Sequence, residues 1–400
     1  MHARTIVAQV IGPCLEGLHR KRSAALMRAT TGLLNGGVSS LSGIALRLGG
    51  STRLKHRLKS VDRVLGNRAL YDQRDELYRQ VVGLWLKDLT RVLVVIDWSN
   101  LSKDQRWQWL RASVVVEGRS ITLYEQVHPQ KKLANPRVHR DFLGRLAQIL
   151  PAGCRPIVMT DAGFHAPWFK AVAEQGWEFI GRVRGRNRLC LQGAQNWTPA
   201  RDLYARARAE ARDLGLGAYA RSNPVPVRAV LAKRPSKGRH QVNIYGKKRA
   251  SRSSTKAARS AREPWLLVCS PSLAYLQPQA IVALYAQRMR IEQSFRDTKN
   301  LRWGQGLEVS RSRGRLRLEM LLLIAHLASL IQRLIGECAK QHQQELQFMA
   351  TRRANRAEIS VLTLARRMLD AGEIYFKNLL PWQAIPPLTK QAIVACGVVT

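Results

Sequence analysis

The chain reads as a mixed α/β protein with helical regions at both ends. Two buried-strand runs point to it, Val92–Ile96 (VLVVI) and Pro156–Thr160 (PIVMT), each β-branched-rich and each followed at once by an acid. The third observation is their order, strand, hairpin, helix, strand, helix, strand, which makes a mixed sheet. A hydrophobic content of 46% over 400 residues is ample for folded cores, and the length suits roughly two to four domains.

Each element follows from its own residues. In the first 80 residues, Ser40–Leu48 is a short candidate helix, Gly49-Gly50 a turn, and Ser51 the expected N-cap of a second helix. That second helix carries an apolar face of Leu54, Leu58, Val61 and Leu65, with Arg53, Lys55, Arg57, Lys59 and Arg63 elsewhere. A helix-turn-helix reader and a basic helical bundle both fit it. Past Val92–Ile96 come strand runs at Ala112–Val116 and Ser120–Val127, joined by the turn Glu117-Gly118-Arg119. Val138–Leu150 is helical, Pro156–Thr160 a strand, Pro167–Gln175 helical and Trp177–Val183 a strand. Residues 186–263 break the pattern and end in a basic run, Lys233–Arg262, with 11 Lys+Arg and no acid. This run suits either a solvated loop or a ribbon that tracks DNA. Trp265–Cys269 resumes the sheet, Tyr285–Lys299 is helical, and beyond Gly314 the chain is helical, with apolar faces at Leu316–Ile335 and Ile359–Leu369.

Charge narrows the function class. With 66 Lys+Arg against 27 Asp+Glu, the formal charge is +39. Self-repulsion on that scale calls for a polyanionic partner, and nucleic acid leads because the charge is spread along the chain. Six cysteines without a C-x-x-C pair argue against zinc ribbons and a disulfide framework. The N-terminal apolar stretch is too short for a secretory signal. The run Met320–Ile331, which contains His326, is too short to span a bilayer and reads as a core helix. A cytoplasmic protein with no membrane partner is expected.

The segment Tyr285–Lys299 (YAQRMRIEQSFRDTK) holds the most chemistry. Read as one helix, it places Tyr285, Arg288, Glu292 and Lys299 within roughly 60° of one another. A carboxylate flanked by cations and a phenol suits phosphoryl transfer, although a solvated charged helix has the same composition. Acids are scarce, so Asp97 and Asp161 at the ends of buried strands need a reason; each alone could be a turn or helix cap. Together with Glu292 they could surround one or two hard cations. No His/Cys cluster and no G-x-S-x-G elbow competes.

With these motifs in hand, the chain resembles the DDE transposases of the insertion-sequence-four family, nearer the branch of transposon Tn-ten than that of Tn-five. Tyr285, Arg288, Glu292 and Lys299 match the family's Tyr-Arg-Glu-Lys signature and its gaps, and Asp97 (VVIDWS) and Asp161 (MTDAGF) match its two aspartates. Supporting matches are Leu110–Glu125, Gly181–Gly185 (GRVRG), Glu263–Trp265 and Val64–Arg68. The likeness spans nearly the whole chain and weakens in the basic run and after about Lys340.

The resemblance implies an RNase H-like catalytic core with a β-rich insertion, flanked by helical N- and C-terminal regions. The expected divisions are a helical DNA-end-binding domain at 1–80, core at 81–185, basic insertion at 186–263, core again at 264–335, and a helical dimerisation region at 336–400. It further implies cut-and-paste chemistry: binding of terminal inverted repeats, end cleavage through a hairpin, and joining to target DNA. Two Mg2+ ions per site, with Mn2+ as a substitute, would be held by Asp97, Asp161 and Glu292, Asp97 bridging both. Arg288, Lys299, Tyr285 and Arg184 would contact DNA, and Trp265 and Met289 would cradle and wedge a flipped base. Implied partners are double-stranded DNA, a second copy in the synaptic complex and a host DNA-bending protein, in a bacterial cytoplasm at the nucleoid. A DNA-binding repressor without catalysis and a plain metal-dependent nuclease are the rival classes; three intact carboxylates oppose the first, the insertion and helical C-terminus the second.

Overall fold

The computed structural model describes residues 3–102, 104–235, 251, 255, 262–349, 359–372, 376 and 379–397. Most of the basic run Lys233–Arg262 lies outside the described residues. The chain forms two compact units, one of Met1–Cys154 with Met289–Thr400 and one of Arg155–Arg288.

The first unit opens with helices α1 (Ala3–Ile11), α2 (Arg20–Leu34), α3 (Leu41–Leu46), α4 (Leu54–Leu65), α5 (Arg68–Asp72) and α6 (Arg74–Leu86). Ser40 caps α3 by accepting from the Gly43 N–H at 3.0 Å. The second expected cap is corrected: α4 follows Arg53, which makes no side-chain cap, and Ser51 lies too far upstream to reach the first orphan N–H groups. The buried face of α4 is Val61, Val64 and Leu65, whereas Leu54 is exposed. Strands β1 (Leu93–Asn100), β2 (Trp107–Val116) and β3 (Arg119–Pro129) follow as an antiparallel meander in the order β3-β2-β1. The β2–β3 turn sets Gly118 at φ +67°, where a side chain would be strained. A bulge between Ala112 and Ser113 shifts the β2–β3 register by one residue. Helix α7 (Pro136–Ile149) starts at Asn135, whose side chain accepts from the Arg137 and Val138 N–H groups.

In the second unit β4 (Ile157–Thr160), α8 (Ala166–Glu174) and β5 (Glu178–Val183) form a parallel crossover. A Cβ on Gly181 would stand 2.3 Å from the Phe169 ring, so only glycine lets α8 lie this close to β5. Then come β6 (Arg188–Leu191), β7 (Thr198–Pro199), α9 (Ala200–Leu203), β8 (Arg212–Tyr219), β9 (Val225–Ala232), β10 (Trp265–Cys269) and α10 (Pro278–Ala286). Strand β10 pairs antiparallel with both β5 and β9, which gives the order β4-β5-β10-β9-β8-β6-β7. The strands of residues 186–263 thus extend the sheet of β5 and β10.

The chain completes the first unit with α11 (Met289–Lys299), α12 (Arg315–Gln341), α13 (Val361–Ala371) and α14 (Ile385–Cys396). By length and composition α12 could cross a membrane, yet 94% of its most apolar window is buried within the fold. The run Met320–Ile331 is the middle of this longer core helix. On it, Glu319 is fully buried and pairs with Arg74 at 2.5 Å and Arg315 at 3.1 Å. Glu319 also accepts from the Tyr71 hydroxyl at 2.5 Å and the Val127 N–H at 2.7 Å. Four donors on one carboxylate offset its desolvation and tie α12 to α5, α6 and β3. The antiparallel meander β3-β2-β1 and the parallel pair β4/β5, with helices on the flanks, bear out the expected mixed α/β, RNase H-like class.

Candidate catalytic site

The signature segment is not one helix. Helix α10 ends at Ala286 and α11 begins at Met289. Between them Gln287 and Arg288 donate to the carbonyls of Leu284 and Tyr285, at 3.0 and 3.1 Å, in three-residue turns. The single-helix expectation is therefore corrected: Glu292 and Lys299 share a helix, while Tyr285 and Arg288 lie before the break. Packing explains it. The buried Tyr285 ring meets Trp265 edge-on at 5.0 Å in the second unit, whereas α11 packs Ile291 and Phe295 onto the first unit's meander. Burying one large side chain stabilises by about 1.5–3 kcal/mol, more than helix propensity gains across two residues.

In the first unit, Asp97 does not end its strand. Strand β1 runs on to Asn100, and Asp97 is the first position where burial relaxes. Its Oδ1 accepts from the Trp98 N–H at 2.8 Å. Helix α11 packs against β1, with Glu292 exposed in its first turn, where a carboxylate complements the helix dipole. Lys299, the last residue of α11, donates from Nζ to Ser99 Oγ at 2.6 Å. Burial lowers the Lys299 pKa to about 8, and the Arg111 cation pushes the same way, while Asp97 and Glu308 hold it up. Asp97 and Lys299 therefore act on each other electrostatically.

In the second unit, Asp161 directly follows β4, and its Oδ1 accepts from the Gly163 N–H at 2.8 Å in a tight turn. Trp265 opens β10, with the Arg234 guanidinium 4.8 Å from its ring and Tyr285 on its edge. Arg184 is engaged by Glu263 through two nitrogens, at 2.8 and 2.6 Å. Met289, first residue of α11, is 49% exposed.

The donor chemistry of Asp97, Asp161 and Glu292, oxygen only and none fully buried, fits a hard divalent cation. Among the described residues, however, no three His, Cys, Asp or Glu side chains form a metal-holding group. Asp97 and Glu292 belong to the first unit and Asp161 to the second.

Sequence reasoning missed Arg111. It sits on β2 in register with Asp97 and is buried. Its Nε pairs with Glu125 at 2.9 Å, and its other nitrogens donate to Ser294 Oγ at 2.9 Å and Thr298 Oγ1 at 3.3 Å on α11. Glu125 also accepts from Trp109 at 2.8 Å and the Tyr78 hydroxyl at 3.0 Å. Arg119 adds a second tie, to Asp297 at 2.7 Å and Gln293 at 2.8 Å. The available signal was one cation and one anion, Arg111 and Glu125, in the middle of the two strands of one hairpin.

A family model for the transposase DDE domain matches residues 88–331. No curated protein matches the chain. Similar solved structures include a cryo-EM structure of the piggyBac transposase synaptic complex with hairpin DNA, at 10% identity and TM-score 0.43, covering 97% of this chain and 79% of that one. A likeness of that strength transfers no residue roles. The family match is of another order: it runs over more than half of the chain and takes in both aspartate-bearing strands and the helix of Glu292, so the chain belongs to the transposase DDE-domain family.

Proposed function

We propose that this transposase is a cut-and-paste enzyme of the insertion-sequence-four family, on the Tn-ten side, that cleaves its element's ends through a hairpin and joins them to target DNA. The observation that supports it best lies within one unit. Asp97 on β1 and Lys299 on α11 stand in electrostatic reach, and Glu292 is carried on that same helix. Asp97, Asp161 and Glu292 would hold the divalent ions, Mg2+ or Mn2+. Such ions, when bound, polarise the attacking and leaving oxygens of an in-line displacement.

The chain's own side chains do the rest. Lys299 and Arg288 clamp phosphate, Tyr285 orients it, and Arg184 exchanges Glu263 for a DNA phosphate. Trp265 and Met289 give a base drawn out of the stack a surface and a wedge. The basic helices of residues 1–80 bind the element's ends, residues 186–263 track DNA, and residues 336–400 pair two copies in the synaptic complex. A bacterial host's DNA-bending protein assists at the nucleoid.

The test is incubation with Mg2+ and the terminal DNA of the gene's own element, resolved on denaturing gels into nicked, hairpin and joined strands. Asp97→Asn, Asp161→Asn and Glu292→Gln should each slow cleavage at least about a thousandfold, roughly 4 kcal/mol of barrier, while end binding stays near wild type. Cleavage at the normal rate by any one of them removes that residue from the site. A wild type that binds the ends but never cuts them points instead to a repressor. One that cuts without hairpins or joining is a plain nuclease.

A further inference from the structure

Ten tryptophans occur in the chain, and among them only Trp303 is exposed, at 61%. It lies four residues beyond Lys299, in the loop that follows α11. The same stretch of the first unit carries further exposed apolar side chains at Met289, Leu301 and Val309. A tryptophan left in water forgoes the burial that stabilises large aromatic side chains, so its place needs a reason.

The loop is held rather than loose. The Trp303 N–H donates to Asn300 Oδ1 at 2.7 Å, and the Trp303 carbonyl accepts from Arg366 at 2.6 Å. A Cβ on Gly304 would stand 2.3 Å from the Asp297 carbonyl. Gln305 donates to the Ala325 carbonyl at 3.0 Å and to Ser329 Oγ at 2.9 Å on α12. The backbone that presents the indole is thus pinned to α11, α12 and α13, and a ligand meeting it would pay little ordering entropy.

Charge decides what the ligand is. The Arg302 guanidinium lies 4.7 Å from the Trp303 ring centre. Arg296, Arg311, Arg313 and Arg315, nearby in sequence, are all exposed. The nearest acid in the loop, Glu308, is engaged by the Leu301 N–H at 3.0 Å. An aromatic face with a stacked guanidinium among arginines suits a base attached to phosphates, and a hydrophobic protein partner would have to bury that charge unpaired.

We propose that Trp303, braced by Arg302, is a stacking platform for an unpaired nucleobase of the DNA substrate. The inference rests on the DNA-transposase reading and adds a base contact on the first unit, on a loop that the signature motif does not include.

Fluorescence anisotropy tests it with three labelled duplexes of the element's end. One is fully paired, one has two unpaired nucleotides at its terminus, and one has abasic sites at those two positions. Trp303→Ala should weaken binding to the unpaired-base duplex roughly 5- to 100-fold and leave the paired duplex unchanged. Trp303→Phe should keep most of the affinity, and the abasic duplex should make the wild type behave like Trp303→Ala. Equal loss on all three duplexes, or no loss on any, overturns the platform while DNA binding itself stands. A wild type that binds none of them overturns the DNA reading as well. If Trp303→Ala changes only the oligomeric mass, the indole seats a second copy of the chain and the proposal is wrong.

Discussion

Lys299 shows how a single side chain can be set by its surroundings. Its Nζ bonds Ser99 and lies 5.9 Å from the Trp109 ring and 5.6 Å from that of Phe295, so its charge is only partly hydrated. Burial brings its pKa from 10.5 to about 8. The folded protein then releases this proton before the unfolded chain does, so the fold gains stability between about pH 8 and 10.5. Phosphate affinity runs the other way, since only the ammonium binds an anion. If the neutral amine does not bind, end-DNA affinity should fall roughly tenfold between pH 7 and 9, in proportion to the charged fraction. Lys299→Arg, charged throughout, should flatten that profile. Identical profiles for the two proteins would show that Lys299 does not touch phosphate.

At the level of elements, α11 depends on what lies beneath it. Arg111 joins β2 to Ser294 and Thr298, and its ion pair with Glu125 is almost wholly out of water. Removing one partner of such a pair costs about 3–5 kcal/mol, because the other charge stays buried without a counter-charge. Arg111→Met should therefore lower the melting temperature sharply, and Arg111→Met with Glu125→Gln should recover much of the loss. A double variant no more stable than the single one would mean that the hydrogen bonds to α11, rather than the stranded carboxylate, set the cost. The bulge at Ala112/Ser113 makes this pair possible. Without it, counting back from the turn would set Arg111 opposite Tyr124; with the shift it faces Glu125. The hairpin is legible in the sequence, but the shift is not, because one extra residue in a strand leaves no mark in an apolar run.

Across the whole molecule, the +39 charge favours polyanion binding and works against compactness, most of all in acid. Two buried histidines of the first unit add to that weakness. Burial lowers His326 to about 3 and His128 to about 4. Both stay neutral in the fold, while in the unfolded chain they protonate near pH 6.5. Their contribution is full above pH 6.5 and is lost as pH falls through about 4 for His128 and about 3 for His326, roughly 3 kcal/mol of it for His326 by pH 4.5. Thermal melts from pH 7.5 to 4.5 should fall more gently for His326→Phe than for the wild type. Parallel curves would place the acid sensitivity elsewhere.

Local pattern was enough for the α/β class, for β1 with Asp97 and β4 with Asp161 just beyond it, and for the helical character around Glu292 and Lys299. Strand and helix periods record which face is buried, and buried faces are written in residue type. The break at Gln287–Arg288, the Arg111–Glu125 pair and the exposed indole of Trp303 were settled by packing. Each depends on which distant segment a side chain meets: Tyr285 finds Trp265, Arg111 finds Ser294 and Thr298, and the loop of Trp303 is tied by Arg366 and Gln305. A helical period cannot announce its own interruption when two packing surfaces each hold half of it, and a tryptophan's residue type says core until the fold leaves it outside.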